Sequence, residues 1–187
     1  MGQKNGRVPH RLDFITPTVI TLLELFMKEP TQQFHEREVV RRTTVSKGSA
    51  NKILRMLASI GILDKENKGK MVFYNLNLQD PVARQFKILE NVYLLRNLTH
   101  SVRNNAKKVI LFGSCAQGTD AETSDIDIFV LTDEKGLVRR KISELNRKPG
   151  RRISPVVVDA NEFVKLRNGD RALYENIERG FVLWQQE

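Results

Sequence analysis

Residues Val109 to Leu131 read VILFGSCAQGTDAETSDIDIFVL, and this stretch decides the fold of the second half of the chain. It begins and ends with apolar runs typical of buried strands, and glycines, small polar residues and carboxylates lie between them. The second run contains Asp125 and Asp127. The physical question is why a chain brings two like charges up against a hydrophobic core.

Alternation along the second run answers that question. Residues two apart on a strand share a face, so Asp125 and Asp127 project together while Ile126 and Ile128 face the core. Two carboxylates side by side on a rigid strand repel each other unless a cation sits between them. The pattern therefore predicts a site for Mg²⁺, whose preferred ligands are oxygen atoms.

A phosphate-binding loop is predicted upstream of the two aspartates. The first apolar run leads directly into Gly113 and Ser114, followed by a short helical turn that Gly118 closes. A glycine lets a ligand approach the backbone, and the following N–H groups and the Ser114 hydroxyl can donate hydrogen bonds to phosphate oxygens. The oxygens of a bound phosphate would in turn help to bind Mg²⁺.

The spacing of Gly113, Ser114, Asp125 and Asp127 between two apolar strands resembles the nucleotidyltransferase superfamily that includes DNA polymerase beta. The likeness is greatest to its minimal nucleotidyltransferase members from prokaryotes and covers about residues 105–187. It implies a small α/β (α+β) domain with a mixed sheet that binds an NTP and two Mg²⁺ ions. Such enzymes transfer a nucleoside monophosphate to a hydroxyl and release pyrophosphate. By position, Gly113 and Ser114 would hold the triphosphate, and Asp125 and Asp127 would be the catalytic metal ligands.

Catalytic members of that superfamily usually carry a third carboxylate on a later strand. In the strand RRISPVVVD, Ser154 occupies the usual position, and Asp159 is the only carboxylate nearby. At an odd separation from Ser154, Asp159 points to the opposite face unless Pro155 introduces a bulge. Asp159 is the candidate third catalytic residue, and the departure at Ser154 leaves catalytic turnover open.

The first half of the chain predicts three helices and a hairpin. The helices begin near Pro17, within FHEREVVRR and after Ser46, and ILDKENKGKMVFYNLN forms two strands with its turn at Asn67 to Gly69. This order resembles the winged helix-turn-helix of transcription regulators over residues 12–78 and implies binding to double-stranded DNA. The candidate DNA contacts are cationic or polar side chains of the third helix and the hairpin: Lys47, Asn51, Lys52, Arg55, Lys68 and Lys70. The alternative is a solvated helix and hairpin that only joins domains or dimerises.

Charge and composition limit the classes of function that this protein can have. Most of the net charge of +9 lies in residues 1–104, which hold 17 Lys and Arg against 9 Asp and Glu, as expected of a surface facing a polyanion. A single cysteine excludes an internal disulfide, and three well-separated histidines match no familiar zinc spacing. No signal peptide or membrane span is indicated, so we expect a cytoplasmic protein without a membrane partner.

The sequence therefore predicts a winged-helix domain, one connecting helix of about six turns over residues 79–104, and a nucleotidyltransferase domain over residues 105–187. One hypothesis is an enzyme that transfers NMP to a protein or RNA hydroxyl, as a toxin–antitoxin component of the kind this family contains. The alternative is a DNA-binding regulator whose second domain senses nucleotide without turning it over. Homodimerisation fits both halves.

Overall fold

The computed structural model describes residues 12–186 and divides the chain into two compact units, one up to Arg84 and one from Gln85 onward. In the first unit a 3₁₀ turn, Leu12–Phe14, precedes the regular elements. These are α1 (Pro17–Lys28), β1 (Phe34–His35), α2 (Glu36–Thr43), α3 (Lys47–Ser59), β2 (Leu63–Lys68) and β3 (Met71–Leu76). The strands pair antiparallel in the order β1-β3-β2.

Local sequence signals set the ends of the first-unit helices. The Thr16 hydroxyl accepts a hydrogen bond from the Val19 amide at 3.4 Å, and Pro17 opens α1. The Ser46 hydroxyl caps α3 by accepting from the Ser49 amide at 3.3 Å. Gly61 follows α3 at a φ of 84°, a conformation that favours glycine. The predicted helix starts and the stop are confirmed.

The hairpin turn differs slightly from the prediction. Lys68 pairs with Met71, so the turn consists of Gly69 and Lys70, whereas Asn67 lies within β2 opposite Val72. Gly69 has a φ of 61°, as a two-residue hairpin turn requires. Glycine adopts this conformation readily, so the turn forms at this residue.

The core of the first unit lies between the helices and the sheet. The rings of Phe26 and Phe34 meet edge to face with centroids 5.4 Å apart, and both side chains are fully buried. Further fully buried residues come from every helix and from the hairpin: Leu22, Leu23, Val39, Ala50, Leu54, Leu57, Ile62 and Leu63. Each large side chain contributes about 1.5–3 kcal/mol through burial.

From residue 81 onward the chain alternates helices and strands. The elements are α4 (Pro81–Leu94), α5 (Arg96–Val102), a 3₁₀ turn (Arg103–Asn105), β4 (Lys108–Leu111), α6 (Gly113–Gln117), β5 (Ile126–Leu131), α7 (Lys135–Asn146), β6 (Ile153–Val158), α8 (Ala160–Gly169), α9 (Arg171–Glu178) and β7 (Phe181–Gln185). The segment predicted as one connecting helix over residues 79–104 consists of α4, α5 and the 3₁₀ turn. Leu95, with a φ of −82° and a ψ of −4°, lies between α4 and α5.

The second unit is built on a four-stranded mixed sheet in the order β6-β5-β4-β7. β5 runs parallel to β6, and β4 is antiparallel to both β5 and β7. One face of the sheet carries Ile126, Ile128 and Val130, which pack with buried residues of α5 and α7. The opposite face carries Ile110 and Phe129, covered by residues of α8 and α9. The predicted α+β class with a mixed sheet is confirmed.

No helix within residues 12–186 combines the length and the apolar character that crossing a bilayer requires.

Candidate active site

The two predicted metal ligands lie at the amino end of β5. Asp125 immediately precedes the strand and is exposed, whereas Asp127 lies within it and is half-buried. Ile126 and Ile128 are buried in the core on the other face of the sheet. The alternation expected from the sequence therefore places both carboxylates on one face, the face that α8 and α9 cover farther along β5.

Gly113 brings the backbone of the predicted phosphate loop against Asp127. Its φ is 69°, and a β-carbon built on it would lie 2.7 Å from Oδ2 of Asp127. Only glycine permits this approach, because any side chain would collide with the carboxylate and strain the backbone. The hydroxyl of the neighbouring Ser114 makes no hydrogen bond within residues 12–186, so it can donate to a ligand. Gly118, at a φ of 66°, ends α6 as predicted.

The electrostatics of the aspartate pair favour an added cation. Burial raises the pKa of Asp127 above its ordinary value, and the adjacent charge of Asp125 raises it further. Neither carboxylate has a cationic partner among the described residues. Two oxygen-bearing side chains that repel each other on a fixed strand fit a Mg²⁺ ion that phosphate oxygens also bind. Across residues 12–186 no cluster of three or more His, Cys, Asp or Glu side chains could hold a metal by itself.

Ser154 lies beside Asp127, and it is the residue for which the sequence resemblance led us to expect a carboxylate. The two residues are direct partners in the parallel β5–β6 pairing. Their side chains consequently share a face of the sheet, as the sequence predicted. The pairing continues without a shift through Pro155, which lies opposite Ile128, so Pro155 introduces no bulge.

The structure does not bring Asp159 to the aspartate pair. Asp159 follows Val158, which pairs with Leu131, four residues beyond Asp127 and therefore about 13 Å along the strand. Its carboxylate caps α8 by accepting from the Glu162 amide at 2.9 Å, and the Lys135 ammonium lies 2.8 Å away. The hydrogen bond from Lys135 is the main reason that the pKa of Asp159 is lowered. This geometry favours a helix-capping role for Asp159, and its catalytic role stays a prediction.

The sequence missed a buried ionic cluster between α4 and the loop after α6. We call it the Asp120 cluster, and its members are Lys87, Asn91, Asp120 and Arg151. The side chain of Asp120 is fully buried, although it lies in the polar segment TDAETS. An acid in a polar loop gives no local signal of burial, because its cationic partners lie far away in the sequence.

The predicted DNA-contacting residues all lie on α3 or the hairpin. Lys47, Lys52 and Arg55 are exposed on α3, and Lys70 is exposed in the turn. Two candidates are already engaged within the first unit. The Asn51 amide donates to the Glu36 carboxylate, and the Lys68 ammonium donates to Gln33 Oε1 at 2.6 Å and lies 3.3 Å from Glu66.

Comparison with known protein families assigns the second half of the chain. Residues 95–187 match the family model described as Polymerase beta, Nucleotidyltransferase. These residues form a polymerase beta-type nucleotidyltransferase domain. The matched segment contains β4, the Gly113 loop, both aspartates of β5 and Ser154. The resemblance inferred from the sequence is thereby confirmed for the nucleotidyltransferase domain.

Two solved structures align with the chain at low similarity. A proposed nucleotidyltransferase from Sulfolobus solfataricus is 19% identical with a TM-score of 0.37, and the alignment covers 55% of this chain and 87% of that one. A mutant of the toxin–antitoxin pair MntA–HpeT is 21% identical with a TM-score of 0.33, covering 51% of this chain and 74% of that one. No curated protein matches the chain significantly.

Proposed function

We propose that the nucleotidyltransferase domain binds a Mg²⁺–NTP complex and transfers NMP to a hydroxyl of a macromolecule. The observation that carries the proposal is the pair Asp125 and Asp127, which has no cationic partner among the described residues and of which Asp127 lies against Gly113. Carboxylates that can hold metal ions beside a backbone loop that can bind phosphate are parts that phosphoryl transfer uses.

Each side chain of the site has a distinct part in this proposal. Asp125 and Asp127 would hold the two Mg²⁺ ions, which supply charge neutralisation for the triphosphate when bound. Gly113 leaves room for the phosphates, and the Ser114 hydroxyl donates a hydrogen bond to a phosphate oxygen. The fixed strand β5 keeps the carboxylates in place, so they need not reorganise during the reaction.

The acceptor is proposed to be a protein or an RNA rather than a small molecule. The domain is small and Asp125 is exposed, which favours a large acceptor over one held in an enclosed pocket. A role in a toxin–antitoxin system, in which the partner is a second protein, would agree with this proposal. The MntA–HpeT structure is itself described as a toxin–antitoxin pair.

Transfer of label tests the proposal. The full chain is incubated with Mg²⁺ and each α-³²P-labelled NTP, alone and with a bulk tRNA acceptor, and we measure label in protein and RNA together with released pyrophosphate. We expect transfer that requires Mg²⁺ and disappears in Asp127→Asn. Absence of both transfer and Mg²⁺-dependent NTP binding would contradict the proposal.

Ser154 favours a second candidate function, that of a nucleotide sensor. Removing a general base typically lowers a rate by roughly 10²–10⁴-fold, and the residue paired with Asp127 has no carboxylate to act as one. A domain with intact binding residues and slow turnover would report nucleotide occupancy rather than consume NTP. Binding of Mg²⁺–NTP without measurable pyrophosphate release would favour this candidate.

We also propose that the first unit is a winged-helix domain that binds double-stranded DNA. Three helices precede a hairpin, and the short strand β1 lies between α1 and α2 and pairs with β3. The exposed cations of α3 would enter the major groove, and Lys70 at the hairpin turn would contact the phosphate backbone.

Gel shifts of the full chain over a range of salt concentrations test DNA binding. We expect Arg55→Ala, and a double change of Lys68 and Lys70 to Ala, to weaken duplex binding and to lower its salt dependence. Lys28→Ala is the matched control, because Lys28 is an exposed cation on α1 beside Glu24. No binding by the natural chain at low salt would contradict the proposal.

Homodimerisation is proposed as well. Leu89, Tyr93 and Phe181 expose large apolar side chains in the second unit, and apolar surface of this kind favours association. Light scattering should give twice the monomer mass for the natural chain and the monomer mass for Tyr93→Glu. A monomer in both samples would contradict the proposal.

A further inference from the structure

The Asp120 cluster is a fully hydrogen-bonded ionic group in the interior of the second unit. Oδ2 of Asp120 lies 3.2 Å from the Lys87 ammonium and 2.7 Å from the Arg151 guanidinium. Oδ1 accepts a hydrogen bond from the Asn91 amide at 3.0 Å. Side-chain exposure is 2% for Lys87 and 0% for Asp120, so these two charges are removed from water.

Arg151 connects this cluster to the loop that carries the metal-binding aspartates. Its Nε donates to the Ser124 carbonyl at 2.9 Å, one residue before Asp125. Its Nη2 lies 3.0 Å from Sγ of Cys115, and that sulfur lies 3.5 Å from the Asp125 carbonyl. One guanidinium therefore contacts α6 and the end of the loop while it neutralises Asp120.

Asn91 ties the same cluster to the segment that follows Ser114. Its amide nitrogen donates to the Cys115 carbonyl at 3.1 Å as well as to Asp120, and its oxygen accepts from Arg151 at 3.1 Å. The phosphate loop and the carboxylate loop are thus both hydrogen-bonded to one buried group.

Stability alone does not account for such a cluster. Removing charges from water costs several kcal/mol per ion, and apolar residues of similar volume often replace a buried ion pair without loss of stability. Guanidinium and carboxylate groups do supply directional contacts that apolar side chains cannot make. The contacts of this cluster are directed at the backbone on both sides of the candidate active site.

We propose that the Asp120 cluster positions the Mg²⁺–NTP site, by fixing the loop between α6 and β5 so that Asp125 and Asp127 are held in place before the metal binds. Lys87, Asn91, Asp120 and Arg151 are positioning residues and contact no substrate. The inference rests on the proposed nucleotide binding. Partners that orient metal ligands typically contribute about 10–100-fold to metal affinity.

The test separates positioning from stability by changing the charges in two ways. Arg151→Met removes the contacts to Ser124 and Cys115 and leaves Lys87 with Asp120. The triple change Lys87→Met, Asp120→Leu and Arg151→Met replaces the charged groups by apolar ones and avoids an unpaired buried charge. Arg171→Met is the matched control, because the Arg171 side chain is 86% exposed and pairs with Glu175 rather than with the Asp120 cluster.

Two measurements are made on each full-length variant. Calorimetry gives the Mg²⁺ concentration at half-maximal NTP binding, and thermal unfolding shows that the variant is folded. We expect Arg151→Met and the triple variant to need about tenfold more Mg²⁺, with the triple variant unfolding near the natural temperature. Arg151→Lys should retain the charge and keep the Mg²⁺ requirement near the natural value only in part, since an ammonium cannot reach both the Ser124 carbonyl and the Cys115 sulfur. An unchanged Mg²⁺ requirement in the folded triple variant overturns the inference.

Failure of the natural chain to bind Mg²⁺–NTP would refute the proposed function. Hydrogen exchange, measured without nucleotide, still tests the positioning inference in that case. The amides of Ala121, Ser124 and Ile126 are hydrogen-bonded in the natural loop. We expect Arg151→Met to accelerate exchange at residues 120–126 and to leave α9 unchanged. Equal protection of that loop in Arg151→Met and the natural chain overturns the inference.

Discussion

The two ends of the β5–β6 strand pair carry carboxylates in opposite electrostatic conditions. At the amino end of β5, Asp127 lies beside another carboxylate, and burial raises its pKa. Beyond the carboxyl end of β6, Asp159 lies 2.8 Å from the Lys135 ammonium, and its pKa is lowered. A carboxylate supplied with its own cation stabilises the fold, whereas a pair left without one is arranged for a cation from solution.

The same contrast distinguishes a carboxylate that caps a helix from carboxylates that can bind a metal ion. Asp159 and Glu162 form a capping box in which each side chain accepts from the other residue's amide. Asp125 and Asp127 form no capping box within residues 12–186, and Gly113, a glycine at positive φ, lies against Asp127. This contrast supports the proposal that the amino end of β5 binds metal and that Asp159 has a structural part.

The largest effect is expected from placing a carboxylate at the position of Ser154. Ser154→Asp adds a base beside Asp127, and we expect the rate of labelled NMP transfer to rise by roughly 10²-fold or more. Ser154→Asn is the control, because it has the same shape without the charge. Brisk transfer by the natural chain that Asp159→Asn abolishes would show that the assignment of the two ends is reversed.

A smaller loss is expected from filling the space above Asp127. Gly113→Ala sets a methyl group 2.7 Å from Oδ2 of Asp127 at a φ of 69°. Overpacking of this kind costs about 1–3 kcal/mol, and we expect calorimetry to show NTP affinity lowered about tenfold. Gly136→Ala is the control, since nothing lies within 4 Å of its added β-carbon. Equal affinity in both variants would contradict the close approach of the loop.

At the other end of the strand pair the expected effect is on stability alone. Asp159→Asn weakens the ion pair with Lys135, while asparagine retains the ability to cap α8. We expect the unfolding temperature to fall by a few degrees and Mg²⁺–NTP binding to stay unchanged. Loss of nucleotide binding in a stable Asp159→Asn protein would return Asp159 to the active site.

The smallest effect is a pH dependence of the Lys135 pairs. The pKa values of Asp159 and Glu162 are lowered in the folded protein chiefly by hydrogen bonds from Lys135. Their contribution to stability is therefore complete above the ordinary carboxyl pKa and is lost as pH falls through the lowered values. We expect Lys135→Met to unfold at a lower temperature than the natural chain at pH 7, with the difference starting to close as pH falls below the ordinary carboxyl pKa of about 4 and closing fully below the lowered values. A difference that is constant with pH would contradict the ion pairs.

Local periodicity made much of the fold and site predictable. Alternation along β5 determines the common face of Asp125 and Asp127, and an unbroken β6 determines the position of Ser154. The cap at Ser46 and the stop at Gly61 are equally local signals. Each of these features depends on residues a few positions apart.

The remaining features depend on contacts between distant parts of the chain. Arg151 and Asp120 are 31 residues apart, and Asn91 and Cys115 are 24 apart, so no local pattern indicates that they meet. The interruption at Leu95 likewise has no glycine or proline to mark it, and Leu95 is buried in the core.

The double change of Asp125 and Asp127 to Asn tests the central claim most directly. Calorimetry of the full chain with NTP, with and without Mg²⁺, compares this variant with Asp133→Asn, which changes an exposed carboxylate paired with Lys107. We predict that the double variant loses the Mg²⁺-dependent part of NTP binding, by about 100-fold or more, and unfolds at no lower a temperature because the repulsion between the two carboxylates is relieved. Unchanged Mg²⁺-dependent affinity in the double variant would contradict the assignment of the nucleotide site.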